Sequence, residues 1–253
     1  MSVKVTMVGG KSVIVDIDLK MDRDKSPWSD DELRFSGGHY DTIVTGGYEG
    51  LECGVTTNYL PKNMDVIELG GGAGIVSCII GKIINPDRKH VVVEPNPYNI
   101  PIIEKHKILN NCNFKIENKM YNAGVNKEEI YELYSPIDNL VGFNKPKMLA
   151  VNSISLSDIM SKYDIKDFVL VSDIEGYEAN LINDESDILV NYCPLIIIEF
   201  HTSRHVFYKN KDDVCPNVKE AYDKLKTLYT ELEIRHMNSF QWVGVYSRKN
   251  RSG

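Results

Sequence analysis

The sequence predicts an α/β fold in which a mostly parallel sheet carries helices on both faces and ends in a C-terminal antiparallel hairpin. Three observations lead to it. From residue 65 onward, short Val- and Ile-rich runs alternate with stretches of helical spacing; parallel strands buried on both faces read as continuous apolar runs and need a crossover between them. Four glycines between residues 70 and 74 follow the first such run, at the strand end where doubly wound sheets bind ligands. Finally, "EIRHM" and "FQWVGVYS" are separated only by Asn238 and Ser239, a link too short for a parallel crossover and suited to a hairpin.

Residues 1–60 read as an N-terminal cap over the sheet. "MSVKVTMVGGKSVIVDIDL" holds two valine-rich runs broken by Gly9-Gly10, which predicts a hairpin and lacks the basic start and unbroken apolar core of a signal peptide. "FSGGHYD" and "TGGYEG" complete the cap. Residues 61–253 form the ligand-binding domain. Its strands are "DVIEL", "HVVVE", "NFKIE", "FVLVSD" and "LIIIEF"; "NIPIIEKHKILNN" and "YEANLINDESDILVNY" have helical spacing between them. "PNVKEAYDKLKTLYTELE" predicts a closing helix, with Val218, Ala221, Tyr222, Leu225, Leu228 and Leu232 on one face behind Pro216. About 119–153 breaks the alternation and reads as a β-rich insertion, whose side of the pocket, with the cap, is expected to select the substrate. Tyr40, Tyr48, Tyr121 and Tyr134 are the aromatic faces available there.

Composition narrows the function. The chain has 253 residues, 42% hydrophobic and 26% charged, with a net charge of −7: a chain able to bury a substantial core, without general attraction to nucleic acid or anionic membrane. No run approaches the roughly 20 apolar residues that span a bilayer. Cys53, Cys78, Cys112, Cys193 and Cys215 are odd in number and form no CxxC pair, which argues against a disulfide framework and a cysteine zinc site and for reduced thiols in a cytoplasmic protein. Oligomeric state is not legible.

The glycines define the ligand. Gly70, Gly71, Gly72 and Gly74 lie between "DVIEL" and the helical run "IVSCIIGKII", and Glu94, 20 residues past Gly74, ends the next strand. A bare backbone admits a ligand against itself, and a strand-end carboxylate can accept from ribose hydroxyls, so a nucleoside is expected. The dinucleotide fingerprint GxGxxG/A fails in both registers, since Ile75 and Ser77 stand at its last position, and no Lys-Ser/Thr completes a Walker motif.

Glu68-x-Gly70-x-Gly72-x-Gly74 resembles the E/DxGxGxG pattern of class I S-adenosylmethionine-dependent methyltransferases. "VIELGGGAGIVSCII", "VVVEPNPYNI", "ISLSDIM", "VSDIEGYEANLI" and "LIIIEFH", in that order over about residues 47–201, resemble the successive motifs of the FkbM family. The resemblance implies a Rossmann-like methyltransferase fold, S-adenosyl-L-methionine as cofactor, and O-methylation of sugars, glycans or hydroxyls on natural products. "SDIEGYE" is similar to the family's K-x-D-x-E-G-x-E but has Ser172 or its neighbour Val171 in place of lysine, a loss that bears on substrate identity more than on cofactor binding. "NPY" at 96–98 resembles the NPPY box of amino-methylating enzymes but follows the wrong strand, and Cys193-Pro194 reverses the Pro-Cys of cytosine-C5 enzymes. A non-catalytic partner domain on the same fold is the alternative; erosion of the glycines or of Glu94 would mark it, and none is eroded.

On this reading Gly70, Gly72 and Gly74 line the methionine and ribose, Glu94 binds the ribose diol, Glu68 organises the loop or reaches the amino group through water, and Asn118 meets adenine. Glu49 is a further cofactor contact to consider. Methyl transfer to a hydroxyl needs the acceptor positioned and deprotonated. Asp173 ends the fourth strand, Glu199 and His201 end the fifth, and Glu175 and Glu178 follow Asp173. His201, whose ordinary pKa is near neutral, is the expected base among Asp173, Glu175, Glu199 and His201. Asp173, Glu199 and His201 also suit a divalent cation, but the sequence contains no ligand spacing that commits to a metal.

Overall fold

The computed structural model of the chain describes residues 2–16, 33–34, 45–123, 128–133, 142–143, 147–201, 218–236 and 241–249. Its elements begin with β1 (Ser2–Thr6), β2 (Ser12–Asp16), β3 (Leu33–Arg34), α1 (Gly50–Tyr59), β4 (Asp65–Leu69), α2 (Ile75–Ile83), β5 (His90–Val93), α3 (Ile100–Leu109) and β6 (Lys115–Glu117). There follow β7 (Met120–Tyr121), β8 (Glu128–Leu133), β9 (Gly142–Phe143), β10 (Lys147–Ile154), α4 (Leu156–Tyr163), β11 (Phe168–Ser172), α5 (Glu178–Asp184) and α6 (Ser186–Tyr192). The chain closes with β12 (Leu195–His201), α7 (Val218–Leu228), β13 (Tyr229–His236) and β14 (Gln241–Arg248).

Seven strands form the central sheet in the order β6-β5-β4-β11-β12-β14-β13. The first five are mutually parallel, β14 is antiparallel to β12, and β13 is antiparallel to β14. Numbered among themselves, these strands read 3-2-1-4-5-7-6. This is the Rossmann-like methyltransferase fold with its C-terminal antiparallel strand pair. The order reverses between β4 and β11, so the loops after them diverge and leave a crevice at the strand ends.

Alternation along the strands builds two cores. Val66, Val92, Val169, Val171, Ile197, Val243 and Val245 pack beneath α1, α2 and α3, while Ile67, Leu69, Val91, Leu170, Ile196 and Ile198 face α4 to α7. The "ISLSDIM" motif is largely a helix start: Ser155 Oγ accepts from the Asp158 N–H at 3.1 Å and Asp158 Oδ2 accepts from the Ser155 N–H at 3.1 Å, a capping box on α4.

Three segments differ from the sequence expectation. The closing helix ends at Leu228, not at Glu233; β13 starts at Tyr229, whose buried hydroxyl bonds at 2.7 Å with the carbonyls of Leu189 and Cys193, and Leu232, expected on the buried face, is exposed. Pro216 lies outside the described residues. Segment 177–192 is two short helices, α5 and α6. The β1–β2 hairpin does not cover the sheet rim. It packs through Val5, Met7, Val13 and Val15 with the apolar side chains of α2 and α3, while Gly47, Tyr48 and Glu49 are the described cap residues that reach the cavity at the strand ends. "FSGGHYD" lies outside the described residues. Within 119–153, β7, β10 and β8 form a small three-stranded sheet, and β9 pairs with β3 of the cap.

Asn110 fastens the hairpin. Its Oδ1 accepts from the Ile14 N–H at 2.7 Å, and its Nδ2 donates to the carbonyls of Ile14 at 2.7 Å and His106 at 2.8 Å. Asn110→Ala leaves a backbone donor and acceptor of β2 unpaired beside a core; the expected loss is about 2–3 kcal/mol in urea unfolding. An unchanged midpoint would show that the hairpin docks through apolar contacts alone.

Candidate active site

The crevice at the β4–β11 switch point contains a cavity of about 320 Å³. On one side is the glycine turn. Gly70, at φ +91°, receives the chain where a Cβ would stand 1.7 Å from the Asp173 carbonyl oxygen. Only glycine fits, because both the dihedral and the approach of the β11 backbone exclude a side chain. The turn is then tied at successive residues: the Gly72 N–H donates to Glu94 Oε2 at 2.8 Å, and His106 Nδ1 donates to the Ala73 carbonyl at 2.7 Å. Gly70 and Gly72 line the cavity. Gly74 does not: it starts α2 and packs against Ile103, where a Cβ would fall 3.1 Å from Cα.

Glu94 is 5% exposed, and burial pushes its carboxyl up to about 7 against the opposing hydrogen bonds. Beyond Gly72 it accepts at Oε1 from the Asn96 N–H at 2.8 Å and Asn99 Nδ2 at 3.2 Å. With the Gly71 N–H also hydrogen-bonded to it, the carboxylate holds two loops together and has fewer open positions than a strand-end carboxylate suggested. The expected site residues Glu68 and Asn118 lie elsewhere. Glu68 points under α2, where Ser77 Oγ donates to its Oε1 at 2.7 Å and His90 Nε2 stands 2.7 Å from its Oε2. Residues 66 and 68 share the face that α2 covers, because side chains alternate along a strand. Asn118 is exposed and donates to the carbonyls of Glu94 at 2.9 Å and Pro95 at 3.1 Å, supporting the β5 loop from outside the cavity.

At the other end, the four catalytic candidates converge. His201 Nε2 lies 3.3 Å from Glu199 Oε1, 3.5 Å from Glu175 Oε2 and 3.8 Å from Asp173 Oδ1, and its Nδ1 is 3.0 Å from Glu178 Oε1. Burial by itself would lower the His201 pKa; Glu178 and Glu175, with hydrogen bonds to Glu178 and Glu199, outweigh it and hold His201 well above its ordinary value. Burial, then Glu199 and Glu175, push Asp173 well above the ordinary carboxylate range.

Sequence reasoning missed Glu52, Asn96 and Asn99, while it named Glu49, Glu175, Tyr48 and Tyr121 as candidates. Glu52 on α1 is buried near this cluster and pushed well above its usual range by burial and by Glu49. Glu49 lines the cavity, is pushed up to about 8 chiefly by burial, and has φ +47°; Glu175, also in the wall, has φ +51°. Two glutamates in the left-handed region facing one cavity are backbone strain of the kind that gathers at ligand sites. Asn96 and Asn99, quoted within "EPNPYN" but read as a turn, are 2% and 3% exposed and leave Asn96 Nδ2 and Asn99 Oδ1 without a hydrogen-bond partner in the cavity wall. Tyr48 and Tyr121 line it as well; Tyr40 and Tyr134 lie outside the described residues. Cys193 is remote from this chemistry, a buried thiol pushed up to about 12 by burial, and Cys215 is outside the described residues.

No protein-family model matches the chain, and no curated protein matches it. Among solved structures the chain is similar to the ribosomal protein L11 methylase of Lactobacillus delbrueckii subsp. bulgaricus, at 9% identity and a TM-score of 0.46 over 81% of this chain and 80% of that one. It is similar also to the precorrin-6y C5,15-methyltransferase of Geobacter metallireducens GS-15, at 10% identity and a TM-score of 0.47 over 87% and 96% of the two chains. Likeness at this level bears on neither ligand nor reaction, which rest on the cavity itself. Among the described residues, no helix is long and apolar enough to cross a membrane.

Among the described residues that line the cavity there is no lysine or arginine, while Glu49, Glu94, Asp173, Glu175 and Glu199 contribute five carboxylates. The Gly72 N–H, which a dinucleotide site would turn toward a pyrophosphate, is already donated to Glu94. Five carboxylates, with His201 as the basic side chain among the described lining residues, favour a ligand with a positive centre over an anion.

Proposed function

We propose that the chain is an S-adenosyl-L-methionine-dependent methyltransferase of FkbM type, methylating a hydroxyl of a sugar, glycan or other hydroxylated small molecule. The observation that carries this reading is a glycine-bounded crevice at the switch point whose described lining residues include five carboxylates and no lysine or arginine. The cofactor fits what is present. Its sulfonium and ammonium suit the carboxylates, its ribose meets Glu94, and the unpartnered Asn96 Nδ2 and Asn99 Oδ1 offer a donor and an acceptor to the nucleoside. Glu68 and Asn118 act at one remove, by setting the α2 start and the β5 loop.

When bound, the cofactor supplies an electrophilic methyl group. The chain's part is to place the acceptor oxygen in line with it and to take the acceptor's proton. Proton acceptance is assigned to this rim, where His201, Asp173 and Glu175 converge, while Glu178 orients the ring. Glu49 and Tyr48, brought by the cap, close the cavity over the glycine turn, where a Cβ on Gly72 would lie 3.4 Å from Glu49 Oε1 and 3.5 Å from the Tyr48 hydroxyl.

Calorimetric titration with S-adenosylhomocysteine and with NAD tests the cofactor reading, with binding expected for the first only. Glu94→Ala is expected to weaken S-adenosylhomocysteine at least about tenfold while keeping the native circular dichroism spectrum, since it removes one hydrogen bond to a ligand hydroxyl and frees both loops. Wild-type affinity in that variant would remove Glu94 from the site. A methyl-transfer assay over glycans and hydroxylated metabolites decides the acceptor; methylation of amines alone would overturn the O-methyl assignment.

A further inference from the structure

We propose that Asp173, Glu199 and His201 form a binding site for a single divalent cation of the Mn2+ class at the acceptor end of the cavity. The inference rests on the reading of that end as the acceptor site, and adds to it a cation that no motif in the sequence specifies.

The geometry is that of a nearly assembled ligand set. One atom from each of the three residues can be chosen so that all lie within 4.8 Å of one another. Ligands about 2.1 Å from a common octahedral ion stand about 3 Å apart when cis and about 4.2 Å apart when trans. The 3.3 Å from His201 Nε2 to Glu199 Oε1 and the 3.8 Å to Asp173 Oδ1 fall in that interval. The ring is also presented correctly. Glu178, with no exposed surface, holds Nδ1 at 3.0 Å and so directs Nε2 at the two carboxylates, the carboxylate–histidine arrangement that fixes metal-binding imidazoles.

One orphaned oxygen points independently to a missing partner: Asp173 Oδ1, a member of the ligand set, is sealed from solvent and accepts no hydrogen bond. A buried acceptor left unsatisfied is costly, and a cation beside it removes much of that cost. Two hard oxygens with one imidazole nitrogen suit Mn2+ better than a thiophilic ion. An acceptor hydroxyl bound at an open coordination position is acidified there; as its oxygen takes the methyl and the carbon–sulfur bond breaks, its proton passes to Glu175 on the same wall.

Mn2+ binding to the full chain without cofactor, followed by loss of the free-ion paramagnetic resonance signal, tests the site. Wild type is expected to bind one equivalent, and Asp173→Asn/Glu199→Gln to bind at least about tenfold more weakly. Native circular dichroism and retained S-adenosylhomocysteine binding establish that the double variant is folded; should it unfold, Asp173→Asn alone is compared in the same way. Glu94→Ala serves as the converse control, keeping Mn2+ and losing the nucleoside, so failure of the cation site and failure of the cofactor reading are read separately. Absence of one-site Mn2+ binding in wild type, or equal binding by the folded variant, overturns the proposal.

Discussion

Gly70→Ala is expected to abolish S-adenosylhomocysteine binding and to destabilise the protein by about 3–5 kcal/mol. The new methyl would have to occupy a point 1.7 Å from the Asp173 carbonyl oxygen and 2.8 Å from its carbon, on a residue whose φ of +91° L side chains rarely adopt. Neither obstacle can yield locally. The Gly70 N–H is bonded to the Val93 carbonyl at 2.9 Å and the Asp173 N–H to the Leu69 carbonyl at 2.9 Å, so relief must shift the ends of β4 and β11, where the cofactor and acceptor halves of the cavity meet. Chemical denaturation read beside calorimetry measures both effects. Gly72→Ala is the milder comparison, since its Cβ would meet only the side-chain ends of Glu49 and Tyr48, though at φ +48°. A Gly70→Ala protein with the wild-type midpoint and affinity would contradict the steric account of the turn.

Asp173→Asn is the second large effect: turnover of the true acceptor should fall by a factor on the order of 10³ while S-adenosylhomocysteine affinity stays within about threefold. The substitution keeps the shape and removes the charge, and the reaction needs that charge whether Asp173 takes the proton itself or holds a cation that acidifies the acceptor. Residues that contact only the nucleoside would show the opposite pattern, losing affinity first. Wild-type turnover in Asp173→Asn would make the Asp173–Glu199–His201 constellation a structural one.

Much of this architecture is written in local pattern. "DVIEL", "HVVVE" and "FVLVSD" read as strands because a buried parallel strand must be apolar on both faces, and the glycine run reads as a ligand turn because nothing else in the chain needs so bare a backbone. The two-residue spacer before "FQWVGVYS" suffices to predict the antiparallel pair. The boundary at Leu228 is different. Helical periodicity continues through Leu232 in the sequence, but the Tyr229 hydroxyl finds two carbonyls of the α6 region and β13 finds a partner in β14, and such pairings outweigh a propensity of a few tenths of a kcal/mol per residue.

The site divides along the same line. The sequence by itself determined which residue types stand at the strand ends: the glycines, Glu94, Asp173, Glu199 and His201, all placed there by strand length and alternation. Only the tertiary structure decided what each does. It turned Glu68 under α2 and Asn118 to the outside, set Gly74 against Ile103, brought Glu49 and Glu52 from the cap toward the acidic rim, and surrounded His201 with carboxylates from β12 and the β11 loop, which raise its pKa above the ordinary value. The physical reason is range. Periodicity and backbone bareness act between neighbours in the chain, whereas burial and charge act through space, between groups such as Glu49 and Glu199 that the sequence keeps far apart.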